Sequence, residues 1–270
     1  MPASGQIRSE PNEGHRRVQV RPFPRDRRLV TAAMRAGRRM TPMHGLVDLD
    51  VTDAIDLLRR SDPPLSFTAF VVASVARAAA AHQEVHAYMD WRGRVVTHRH
   101  VDVATIVEVE TADGPFPLAH VVRDAEVRDV ADLTVELRRV KRDGRDRSAG
   151  GGLARAAVLG TRVPGVLAVL YRVMGRSVRV RQRVGTVGVT AVGMFAGGGG
   201  FGISPPTLMS LQVLVGGITK RPRAIDDAVV IRDVLDLTVT VDHDVVDGAP
   251  AARFGADLRE LVERASVLRG

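Results

Sequence analysis

The 270-residue chain contains no cysteine, one tryptophan, 4% aromatic residues and two lysines among its 39 basic residues. Without cysteine there is no disulfide framework, no thiolate metal site and no cysteine nucleophile. That absence fits a reducing compartment, and a cytoplasmic location is the expectation. The first 28 residues, MPASGQIRSEPNEGHRRVQVRPFPRDRR, lack the apolar core of a secretory signal. A net charge of +8 invites a nucleic-acid partner, but no nucleic-acid signature is present and aromatic residues are scarce. Ten arginines against three acids lie within the first 40 residues, so most of the excess belongs to a basic tail. No nucleic-acid partner is expected.

With 45% hydrophobic residues the chain is long enough to bury a substantial core. Residues 1–25, rich in proline, arginine and glutamate, read as a flexible tail, and 26–270 as the folded unit. RRLVTAAMRAGRRM has helical spacing and HGLVDLDV reads as a short strand. Thr52 or Asp53 is placed to cap the helix AIDLLRR, and Ser66 to cap the apolar, alanine-rich FTAFVVASVARAAAAH. VDVATIVEV alternates with period two and PFPLAHVV follows a short turn, giving two strands. VADLTVELRRVKRDG is a helix ending at Gly144, and SAGGG a joint.

The segment from Leu153 to Met174 is strongly apolar, yet Arg155, Arg162, Pro164 and Arg172 interrupt it. It fails as a membrane span and is expected to form two short helices. RVGTVGVTAVG is a strand and MFAGGGGFG a glycine-rich loop. Three strands are expected at 211–217, 228–232 and 235–241, then a helix with Phe254, Leu258, Leu261 and Val262 on one face. Interleaved helices and strands with hairpin-like neighbours near the end predict an α/β fold with a mixed sheet.

Three groupings carry possible chemistry. In DHDVVDG, His243 ends an apolar strand beside a glycine turn, where an imidazole with a pKa near neutrality can take and return a proton. A structural histidine bonded to a nearby aspartate is the alternative reading. Asp242, Asp244 and Asp247 do not make a metal site with it, because alternate side chains of a strand face opposite ways. His98 and His100 share a face but lack a third ligand. The run Gly197 to Gly200 leads into ISPPT rather than a helix, which excludes a P-loop or dinucleotide fingerprint.

DHDVVDG resembles the Asp-His-Arg-x-x-Asp-Gly signature of the catalytic domain of 2-oxoacid dehydrogenase acyltransferase components, relatives of chloramphenicol acetyltransferase. GTVGVTAVGMF, LSFTAFVVASVARAAAAHQEVHAY and GAPAARFGADLRELVE are similar to further stretches of that family, in the same order, from about Arg28 to Val262. The resemblance implies a two-layer α/β sandwich with a mixed sheet that forms trimers or multiples of trimers. It also implies acyl-CoA as co-substrate, with no metal. His243 would be the general base, Thr190 the hydroxyl that stabilises the oxyanion, and Asp247 the residue that holds the loop through a buried charge pair. His243 and Thr190 would come from different chains.

Two departures bear on the acceptor. Asp244 stands where the signature has arginine, and the only lysines, Lys141 and Lys220, fall inside the catalytic region, so no covalently attached lipoate is expected on this chain. The first expectation is therefore a stand-alone O-acyltransferase that uses acetyl-CoA and acts on a small-molecule hydroxyl such as that of a tetronate or other polyketide-derived metabolite. The alternatives are a dehydrogenase-complex core subunit acting on a lipoyl domain of another chain, and an inactive trimeric scaffold.

Overall fold

The computed structural model describes residues 20, 23, 25–111, 114–147, 166–191 and 198–269. The expected tail, the SAGGG joint and the first half of the apolar segment lie wholly or almost wholly outside these residues. A six-stranded mixed sheet runs in the order β1-β8-β7-β6-β4-β5. Its strands are β1 (Pro42–Asp50), β4 (Val103–Thr111), β5 (Gly114–Val122), β6 (Val187–Ala191), β7 (Leu211–Ile225) and β8 (Ala228–Asp242). The pairs β4·β6 and β6·β7 are parallel; the others are antiparallel. A two-stranded ribbon, β2 (Tyr88–Met89) and β3 (Val95–Val96), stands apart.

One face of the sheet is the hydrophobic core. Val187, Val189, Leu211, Val213, Leu235, Leu237, Val239 and Val241 alternate onto it along β6, β7 and β8. Against them pack α2 (Thr52–Arg60), α3 (Phe67–Ala81), α4 (Val130–Arg147) and α7 (Gly248–Glu263). In α3, ten of fifteen residues are buried, and its alanines allow close approach to α7 and α4. Phe254, Leu258 and Val262 of α7 are buried, with Leu261 packed at the margin. The opposite face is polar: Asp236, Thr238 and Thr240 alternate with the core residues of β8 and are also buried.

Local expectations met mixed outcomes. Ser66 caps α3, its hydroxyl accepting from the N–H of Ala69 at 3.4 Å. Neither Thr52 nor Asp53 caps α2. Thr52 Oγ1 accepts instead from the N–H of Asp233 at 2.8 Å, and Asp53 pairs with Arg232, so both side chains tie the helix to β8. Helix α4 continues past Gly144 to Arg147. The three strands expected after 211 are two, β7 and β8, each of fifteen residues and joined by a two-residue turn at Asp226-Asp227. Strand β1 covers only Val234–Asp242 of β8, so the tip of this hairpin extends past its neighbour.

Candidate active site

The turn carrying His243 hangs from the last residue of β8. Asp242 donates its N–H to the Ser210 carbonyl at 2.9 Å, and its own carbonyl accepts from Val245 and Val246. Its carboxylate accepts from the N–H groups of Thr41 at 3.3 Å and Asp244 at 3.2 Å. His243 donates its N–H to the Thr41 carbonyl at 2.7 Å, which fixes the backbone and leaves the ring exposed. Burial raises the pKa of Asp242, while those two N–H bonds and the charge of Arg181 oppose the rise.

Asp247 is the residue before α7. It is exposed, makes no side-chain capping bond, and takes part in no ion pair among the described residues of the chain. Its carbonyl accepts from Ala251. The buried charge pair implied for it is thus not formed among the described residues of one chain.

Thr190 lies on the polar face of β6, in register with Leu214 of β7, which is in register with Thr238 of β8. From Thr238 to the end of β8 at Asp242 the chain runs about 13 Å, and two strand spacings add about 10 Å across the sheet. A general base and an oxyanion donor acting on one carbonyl must each approach it within about 3 Å. Thr190 and His243 of the same chain cannot do so, and the structure does not bring them together.

Beyond Thr190, Gly198–Gly202 lie over the Gly216-Gly217 bulge of β7. The carboxylate of buried Asp236 accepts from the N–H of Gly200 at 2.6 Å and from Arg221 Nη2 at 2.5 Å. A Cβ on Gly199 would sit 2.8 Å from that guanidinium. Gly198–Gly202 are therefore closely seated on β7, and no helix follows them.

Beside the His243 turn lies a cleft of about 700 Å3 enclosed by α1 (Arg25–Gly37), α5 (Val166–Arg176) and α6 (Val178–Val184). Arg28, Arg35, Arg39, Arg172, Arg176 and Arg181 line it, with Asp242 and Asp244; His243 does not. No group of three or more metal-ligating side chains occurs among the described residues. His98 stacks on Tyr88 at 5.8 Å and meets the edge of His100 at 5.2 Å, so its ring serves packing.

Arg181 went unnoticed in the sequence. It is 1% exposed, its guanidinium lies 4.8 Å above the Tyr88 ring, and burial pulls its pKa down to about 10. RVRQR offers three arginines at alternate positions, and nothing in that pattern says which one turns inward.

The family model for 2-oxoacid dehydrogenases acyltransferase (catalytic domain) matches residues 15–151 and 179–269. The chain belongs to this family. A curated relative, the dihydrolipoyllysine-residue acetyltransferase component of the pyruvate dehydrogenase complex of Corynebacterium glutamicum, is 25% identical over 250 residues, covering 87% of this chain and 31% of the relative. The chain therefore spans about a third of that protein's length. Among solved structures, the cubic core of the pyruvate dehydrogenase multienzyme complex superposes with a TM-score of 0.71 at 16% identity, over 97% of this chain and 98% of the other. Chloramphenicol acetyltransferase gives 0.51 at 15% identity, over 89% and 96%. These likenesses establish the chloramphenicol acetyltransferase-like fold with its mixed sheet.

The relatives overturn the expected hydroxyl acceptor and the link to polyketide-derived metabolites, because the relative named is an acyltransferase of a dehydrogenase complex acting on a dihydrolipoyllysine residue. The reason the residues misled is chemical. An imidazole on a strand end can serve as general base towards a hydroxyl as well as towards a thiol, so the motif does not specify the acceptor.

Proposed function

We propose that this chain is the catalytic unit of a 2-oxoacid dehydrogenase-type acyltransferase, exchanging an acyl group between CoA and a dihydrolipoyl thiol carried on another domain. The observation that carries the reading is the family match, which covers both the Thr190 strand and the His243 turn. Residues 26–270 act as one catalytic unit, with acyl-CoA as a co-substrate and a lipoyl domain as partner. Among the described residues no helix is long and apolar enough to cross a membrane.

In this mechanism the neutral His243 ring takes the proton of the attacking thiol. The sulfur forms its bond to the thioester carbonyl carbon, and the electron pair moves onto oxygen. Thr190 of a neighbouring copy donates its hydroxyl to that oxyanion. Collapse expels the other sulfur, which receives the proton back from the imidazolium, so one thioester replaces another and His243 is restored. Asp247 contributes by holding the turn once a neighbouring copy covers it. The distance between Thr190 and His243 within one chain supports a site shared between copies, and a cubic core, like that of the structural relative, contains threefold axes that generate such contacts. Exposed Ile225, Val229 and Ile231 on the β7–β8 hairpin supply apolar surface for that assembly.

The test is thioester exchange with purified protein, using acetyl-CoA and dihydrolipoamide and reading free CoA thiol. His243→Ala should abolish nearly all turnover with the oligomer intact, and Thr190→Ala should cost about 100-fold in kcat. Mixing the two inactive variants should restore part of the activity, because mixed assemblies contain sites with both residues intact. Full activity in His243→Ala would overturn the mechanism and favour neither acceptor; an active small-hydroxyl pool with silent dihydrolipoamide would overturn the acceptor.

A further inference from the structure

The signature of this family carries an arginine where this chain has Asp244, a change from a positive to a negative charge beside the turn that holds His243. The turn depends on the Asp242 carboxylate, which accepts from the N–H of Asp244 and from the N–H of Thr41, whose carbonyl binds the N–H of His243. Asp244 repels that carboxylate, and burial already disfavours its charged form. A cation close to the carboxylate favours its ionised form, the stronger acceptor.

Arg181, on α6, is such a cation. It lines the same cleft as Asp242 and Asp244, is buried, and donates through Nη2 to Ser210 Oγ at 3.5 Å. Ser210 in turn accepts the Asp242 N–H on its carbonyl. The guanidinium lies 4.8 Å from the centre of the Tyr88 ring, and its Nε has no hydrogen-bond partner among the described residues. The charged or titratable groups that bear on Arg181 and Asp242 are Tyr88, Asp244 and, on the far side of Tyr88, His86 and His98. Among these Arg181 is the cation whose charge acts on Asp242.

We propose that Arg181 is a positioning residue for acyl transfer: buried and bonded to Ser210, whose carbonyl holds the Asp242 N–H, its guanidinium supplies positive charge beside the turn where the signature has an arginine at position 244, and so keeps Asp242 placed to orient His243. Arg181 touches neither thiol nor thioester; it acts through Asp242. The proposal rests on the reading of His243 as the general base.

The experiment compares Arg181→Met, Arg181→Lys, Asp242→Asn and the pairs Arg181→Met with Asp242→Asn and Arg181→Met with Asp244→Arg, in the intact protein. Arg181→Met should lower kcat about ten- to a hundredfold through misplacement of the base, with KM for CoA within about twofold and the melting temperature close to wild type. Arg181→Lys should recover part of the loss. Arg181→Met should cost little more in the Asp242→Asn background, since both act through one contact, and Asp244→Arg should restore turnover to Arg181→Met. Wild-type kcat in Arg181→Met, or additive losses with Asp242→Asn, overturns the proposal. A loss that tracks the melting temperature, is matched by Arg181→Lys and is not relieved by Asp244→Arg assigns Arg181 a purely structural role and also overturns it. Should His243→Ala retain activity, the reading of His243 fails separately. The proposal is then decided by the rate of diethyl pyrocarbonate modification at His243, read by mass spectrometry against His120 as internal reference. A changed His243 rate in Arg181→Met supports it, and an unchanged rate refutes it.

Discussion

Removing the positive partner of Asp236 should harm the protein more than removing the charge of Asp236 itself. Asp236 is fully buried on β8, and one of its oxygens receives both Arg221 and the Gly200 N–H; the other has no partner. Arg221→Met leaves a buried carboxylate with a single backbone donor, a situation that costs about 3–5 kcal/mol when both partners are inaccessible. The Arg221 side chain is 33% exposed, so water reaches the pair and the lower end, about 3 kcal/mol, applies. At about 2–4 °C per kcal/mol for a domain of this size, the melting temperature should fall by about 6–12 °C. Asp236→Asn keeps the shape and the bond to Gly200 while freeing Arg221 to reach water, and should cost about 1 kcal/mol. Melting followed by circular dichroism at one fixed protein concentration measures both, since assembly makes the midpoint concentration-dependent. An Asp236→Asn protein less stable than Arg221→Met would refute the reasoning, because the penalty would then lie in lost acceptor geometry and not in an uncompensated charge.

Gly217→Ala would drive a methyl group into the Gly198 carbonyl oxygen and lift the glycine loop off β7, so both thermal stability and acyl transfer should fall, and a wild-type melting curve would contradict the close seating. Burial, reinforced by the charges of His98 and His100, lowers the pKa of His86 to about 4, so the unfolded chain takes up a proton there first as pH falls. This contribution to stability is complete above about pH 6.5 and lost towards pH 4, amounting to about 3 kcal/mol, and His86→Asn should flatten that part of a stability-versus-pH curve. Arg172→Gln with Arg176→Gln, on the wall of the cleft beside the His243 turn, should raise KM for CoA about fivefold at low salt and less at high salt, as expected of contacts to a polyanion.

The apolar periodicities in the sequence were informative wherever one side chain decided one contact. Helix α3, strands β4 and β5, the buried face of α7 and the Ser66 cap all follow from spacing, because burial or a local donor determines each. The failures come from partners far away in sequence. Thr52 has the chemistry of a cap, but its hydroxyl is taken by Asp233, 181 residues on. Lys220, Arg221 and Arg223 make the second half of β7 read as a loop, whereas it is a strand held by pairing with β8, with Lys220 and Arg221 bonded to Asp233 and Asp236. His243 stands out as a candidate by its place at a strand end, and Thr190 and Asp247 only by resemblance, while the inward turn of Arg181 depends on Tyr88 and on the end of β8, neither of them near it in the chain.

The two ends of the sheet impose different demands on the same strand. Near its middle β8 carries Asp236, tied to the loop that follows Thr190, and at its end it carries Asp242, tied to the turn of His243. Asp236 is paired with Arg221, and the N–H of Asp242 is held by the carbonyl of Ser210, whose hydroxyl accepts from Arg181. Thr190 and His243 of one chain are more than a dozen ångströms apart, so the proposed mechanism requires packing of one copy against another to bring a base and an oxyanion donor to one carbonyl. Dilution of the protein below its assembly threshold should therefore abolish turnover while leaving the circular dichroism of each chain largely unchanged; full specific activity in a dissociated chain would contradict the shared site.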